Sequence, residues 1–161
     1  MRKQCRRKIW KLVNPIEHAI SGAAITSGPD LDKVRLRELG SIEALCKGYG
    51  TVEDWNNVRA LSNVAQIMAE KGVCPEVMEP AENAQRHLAI TMHRYRNTGR
   101  MGLTGEAMQA IRDLYEYHDL QRLSISRSEY ERHLRLAIAY EASPNRRKTV
   151  DDWMKETLVN Q

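Results

Sequence analysis

An all-α fold is what this sequence predicts: a single compact bundle of six or seven helices behind a flexible basic N-terminal arm. Three observations carry that expectation. Apolar residues recur at three- and four-residue spacing along most of the chain. No stretch shows the alternation of period two that a half-buried strand requires. The segments between the periodic stretches carry recognisable helix caps and stops. At 161 residues, 42% of them hydrophobic and 29% charged, the chain suffices for one core, built from Leu, Ile, Val, Ala and Met in the absence of Phe.

Each element follows from its own signals. Asn14-Pro15-Ile16-Glu17 places an N-cap before a proline at the first helical position, and Gly22 with the run Thr26 to Pro29 stops that first helix. Asp30 caps a second helix over Leu31 to Lys47, with Val34, Leu39, Ile42, Leu45 and Cys46 at helical spacing and Gly40 as an interruption. Thr51-Val52-Glu53-Asp54-Trp55 opens a third, whose apolar face is Val52, Trp55, Val58, Leu61, Ala65 and Met68 and whose end is Gly72. A connector from Cys74-Pro75 to Glu79-Pro80 leads to a fourth helix near Ala81 to Asn97, with Ala84, Leu88, Met92 and Tyr95 inward. Gly99, Gly102 and Gly105 break the pattern before a fifth, Glu106 to Arg122, which turns Met108, Ile111, Leu114, Tyr115 and His118 to one side.

Ser126-Arg127-Ser128-Glu129 matches a capping box and starts a sixth helix with Tyr130, Leu134, Ala137 and Ile138 facing in, ended by Ser143-Pro144. The start of the seventh, Thr149-Val150-Asp151-Asp152-Trp153, nearly repeats residues 51 to 55, which reads as one capping solution used twice. The expected organisation is an arm at 1–13 and one helical domain at 14–158. Its expected core includes Trp55, Leu61, Met68, Leu88, Ile111, Leu114, Leu134 and Ile138.

Charge is the strongest functional clue. Arg2, Lys3, Arg6, Arg7, Lys8 and Lys11 precede every acid in the chain, so the arm carries +6. The remaining 19 Lys and Arg against 21 Asp and Glu leave the body at −2. Such an arm suits a polyanion, because each phosphate neutralised by Lys or Arg releases a counterion. Two further basic groups are candidates for contact. Arg127, Arg132 and Arg135, with Ser128 and Glu131, would face bases and backbone if the segment 108–140 were a helix-turn-helix; the plainer alternative is an ordinary αα-hairpin. Arg94, Arg96 and Arg100 stand beside the three glycines of the loop, whose amides could hold an anion if Thr104 opens the next helix, or which could be a plain connector.

Little points to catalysis or cofactors. Cys5, Cys46 and Cys74 form no C-x-x-C pair, and the five histidines show no metal-ligand spacing. Acids such as Glu53, Asp54, Asp151 and Asp152 suit the first turns of helices. The expectation is therefore a non-enzyme with no cofactor and no metal. With no signal-peptide core after the basic residues and no long apolar run, it is also expected to be cytoplasmic and to make no membrane contact.

The segments Asn14 to Ile25, Leu36 to Leu39, Thr51 to Trp55, Thr98 to Gly105 and Tyr117 to Tyr130 resemble a family of small helical proteins carried by temperate phages and prophages of Gram-negative bacteria. That family has no settled activity and is sometimes loosely labelled transcriptional regulators. The resemblance implies a phage-encoded accessory factor in a bacterial host and supplies no site residues. Nucleic acid or a host nucleoprotein complex is the expected partner, with homodimerisation left open. It also raises a rival class, the protein-binding inhibitor of a host defence system, as anti-CRISPR proteins are.

Overall fold

Helices make up every regular element among the described residues, which in this computed structural model are 29–140 and 148–159. The expected first helix, the basic arm and the Ser143-Pro144 stop lie outside them. In chain order the elements are α1 (Pro29–Lys47), α2 (Val52–Glu70), a 3₁₀ turn (Pro75–Val77), α3 (Met78–Thr98), α4 (Gly105–Leu123), α5 (Arg127–Tyr140) and α6 (Val150–Val159).

The caps at Thr51, Ser126 and Thr149 form as the sequence implies, whereas Asp30 is not the cap of α1, which begins at Pro29 and takes Asp30 into its first turn. The Thr51 hydroxyl accepts from the Asp54 amide at 3.2 Å, while the Asp54 carboxylate accepts from the Thr51 amide at 2.8 Å. The Asp152 carboxylate likewise accepts from the Thr149 amide at 2.9 Å, so the repeated pentapeptide is one cap used twice. Ser126 and Glu129 make the same reciprocal pair at the start of α5. Two further features differ from expectation. Helix α3 begins at Met78, because Pro80 falls in the first turn, where the missing N–H has no intrahelical acceptor to lose. Gly40 does not interrupt α1, since its Cα faces open space and its cost is one of propensity alone.

Helix α2 is the centre of the bundle. It packs α1 on one side and α3 on another, and it also carries α5 and part of α4, while α3 is flanked by α2, α4 and α6. Trp55, Val58, Leu61 and Ala65 of α2 meet Ala81, Leu88 and Ala89 of α3 and Ile111 and Leu114 of α4 in the main core. Trp55 is buried, and its Nε1–H donates to the Leu88 carbonyl at 3.0 Å. Trp55→Phe loses that bond and some volume, so a denaturant melt should show about 1–2 kcal/mol of destabilisation.

The loop from Gly99 to Thr104 is anchored from within. Gly99 takes the left-handed conformation (φ 69°) that closes α3. Met101 and Leu103 are buried, and the Leu103 amide donates to the Leu45 carbonyl at 3.1 Å. Gly102 comes so near Gly48 that a Cβ on it would sit 3.0 Å from the Gly48 Cα. The glycines here serve a helix stop and a close crossing of two loops.

Some expected core positions are corrected. Leu134 and Ile138 are exposed, Ile138 by 76%, because α5 turns Tyr130, His133 and Ala137 inward and sets the other two a further 100° around the helix. Leu134 reaches only the rim of a cleft of about 130 Å³ between α1, α2 and α5. Leu39 and Val52, at the outer edges of their stripes, are also largely solvated.

Candidate nucleic-acid interface

Three residues, Ser124-Ile125-Ser126, separate α4 from α5. Ser124 caps α4, its amide donating to the Leu120 and Gln121 carbonyls and its hydroxyl to Gln121 at 2.8 Å, and the Ser126 box restarts the chain as α5. Helix α5 packs on α2, where Tyr130 and Ala137 meet Val64, Ile67 and Met68, instead of returning along α4. Both helices that flank the three-residue turn rest on α2.

Beneath the turn lies a buried polar network. Arg122, in the last turn of α4, has a wholly buried side chain whose Nη2 donates to Glu38 of α1 at 2.6 Å, and its Cζ lies 5.8 Å from the Tyr130 ring centre of α5. One guanidinium thereby joins three helices. Alongside, Arg35 of α1 holds Asp119 of α4 with both oxygens, at 2.7 and 2.9 Å, and Asp119 also comes within 3.8 Å of Arg122. Burial raises the Glu38 carboxyl above its ordinary range despite Arg122, and it also raises the Tyr130 phenol. For Arg122 itself, burial opposes the charge but Glu38 overrides it, so the guanidinium is held more firmly protonated than usual.

His118 and Gln121 extend the network into α2. The Gln121 amide nitrogen donates to the carbonyls of Ala65 at 3.3 Å and Val73 at 2.9 Å, which leaves its oxygen as an acceptor. His118 Nδ1, 2.9 Å from that oxygen, must therefore carry the proton, and its Nε2 is left without a partner. Complete burial, and next the Arg122 charge, push the imidazole down to about 3, so it is neutral in the fold.

The outward face of α5 is what this scaffold presents. Arg127, Ser128, Glu131, Arg132 and Arg135 are all exposed. Of the acids on this helix, the ionised Glu129 carboxylate is turned to the Ser126 cap and Glu131 pairs with Arg127 at 3.1 Å, so three arginines against two glutamates leave α5 with one net positive charge. The cap also fills the α5 N-terminus, leaving side chains to make any phosphate contact.

The other candidate residues are not gathered here. Arg94, Arg96 and Arg100 are exposed at the end of α3, beside the start of α4. The 19-residue length of α4, about 28 Å at 1.5 Å per residue, separates them from α5. Arg2, Lys3, Arg6, Arg7, Lys8 and Lys11 lie outside the described residues. Among the described residues no group of three His, Cys, Asp or Glu is arranged to hold a metal, and no helix is long and apolar enough to cross a membrane.

Arg122 and Glu38 were not singled out from sequence, yet a signal was present. Glu38 sits three, four and seven residues from Ser41, Val34 and Leu45, and Arg122 four and eight from His118 and Leu114. A charge on the apolar face of each of two helices marks a buried pair. No protein-family model, curated protein or solved structure matches the chain.

Proposed function

We propose that the protein binds nucleic acid as a non-enzymatic regulator, with α5 as the reading helix and the basic arm on the phosphate backbone. One observation supports this above the rest: α5 follows a three-residue turn, rests on α2 through Tyr130, His133 and Ala137, and leaves Arg127, Arg132 and Arg135 on its outward face. Contacts from these arginines would sort into base edges and phosphates, and the arm would add affinity independent of sequence. The phage setting implied by the resemblance suits such a role in a bacterial cytoplasm.

Fluorescence anisotropy with duplex DNA over a salt series tests it. Deleting residues 1–11 is expected to weaken binding at every sequence and to lower the slope of log K against log salt by up to about five. Arg132→Ala with Arg135→Ala is expected to lower it by about one for each phosphate no longer neutralised, or to relax sequence preference where a base edge is read. Absence of binding at low salt for duplex and single strand alike overturns the proposal. A host partner whose capture survives nuclease favours the inhibitor class in its place.

A further inference from the structure

One ridge of α4 is complementary to its own reverse. Met108, Arg112, Glu116 and Leu120 follow one another at four-residue spacing and so line up along the helix as apolar, positive, negative, apolar. Arg112, Glu116 and Leu120 are exposed, Leu120 by 62%. From Met108 to Glu116 the ridge forms one wall of an open groove of about 740 Å³ between α1 and α4, whose floor is Leu39, Ile42, Cys46 and Tyr115 and whose far rim is the Glu43–Lys47 ion pair of α1.

Helices α1 and α4 run antiparallel, and the polar ties between them and the loop before α4 lie near the two ends of the groove. Arg35–Asp119 and Glu38–Arg122 hold one end, and the Leu103 amide on the Leu45 carbonyl holds the other. On α1 the apolar stripe continues beyond Leu39 to Leu36, which is 71% exposed. A wet apolar strip of this kind, rimmed by both signs of charge, marks a contact surface.

We infer that a second copy of this chain covers the groove, in a two-fold symmetric dimer whose α4 helices pair antiparallel. With the axis crossing α4 near Leu114, Leu120 of each copy lies over Met108 of its mate at the mouth of the groove. Arg112 of each copy then faces Glu116 of the other. Symmetry makes both contacts twice, as an isologous interface requires. A partner of uniform charge satisfies only one of the two central residues, whereas the chain's own reversed ridge satisfies all four.

Charge reversal separates this arrangement from any other. In sedimentation equilibrium on the full chain, Arg112→Glu alone, or Glu116→Arg alone, sets two like-charged pairs across the axis. Each is expected to raise the dimer dissociation constant at least about tenfold. The double variant carrying both exchanges restores opposite pairs and with them the wild-type constant. Mixing the two single variants should yield a heterodimer tighter than either homodimer. Thermal melts monitored by circular dichroism should agree closely at concentrations where every form is monomeric, since both side chains are exposed in the single chain, and only the wild type and the double variant should gain stability as concentration rises. A wild-type chain that sediments as a monomer over the whole range overturns the inference, as does a dimer indifferent to the single reversals.

Discussion

Arg122→Ala is expected to destabilise the protein by about 3–5 kcal/mol, the cost of leaving one member of a buried ion pair without the other. The wild-type guanidinium neutralises Glu38 at 2.6 Å in a site closed to water. Without it the carboxylate is alone, and burial, which already raises its pKa, raises it further. The folded variant then binds a proton on Glu38 at pH values where the unfolded chain has released it. Its stability therefore falls as pH rises from the ordinary Glu range near 4.5 toward neutrality, and part of the loss is recovered on acidification. Urea melts of the variant at pH 5 and pH 7 check both the size and the sign. Pairing Arg122→Met with Glu38→Leu should recover most of the loss, because an apolar pair of similar volume needs no compensation.

Acid should unfold the wild type through His118. The imidazole titrates near 6.5 when unfolded and only at about 3 when buried beside Arg122, so below 6.5 the unfolded chain binds a proton that the folded chain does not. Stability from this group is complete above pH 6.5 and drains as pH falls toward 3. At about 1.4 kcal/mol per pH unit the full loss is about 5 kcal/mol. His118→Gln keeps a donor for Gln121 and removes the titration. Its stability curve against pH should cross that of the wild type, lying at or below it near neutrality and above it in acid. Parallel curves from pH 7 to pH 4 would refute the assignment. Glu38 works in the opposite direction, since its protonation is eased by the fold, so the difference between the two proteins isolates the histidine.

The elements were legible because their signals are local. Thr51 with Asp54, Ser126 with Glu129 and Thr149 with Asp152 each act within one helical turn, and the sequence alone places them. Orientation was less legible wherever one helix offered two apolar stripes. On α5, Tyr130, Leu134, Ala137 and Ile138 make a good face by spacing, but the helix settles on Tyr130, His133 and Ala137, a face that small Ala137 lets approach α2 closely. The candidate interface was half legible. Its arginines can be named from composition, whereas what holds the helix that bears them cannot, because Arg122 and Glu38 are 84 residues apart and charged side chains are usually solvated.

Burying Arg122 has a consequence for alternative packings. Apolar ridges can slide past one another by a turn, about 5.4 Å, and find new grooves of nearly equal quality. A slip of α1 along α4 by that distance would strand a carboxylate on one helix and a guanidinium on the other, both away from water, and would part Arg35 from Asp119 as well. Displacing α5 by a turn would likewise take the Tyr130 ring off the Arg122 guanidinium. Leucines at these positions would fill the space and tolerate several registers; the charges admit one, so the network acts less as glue than as an address.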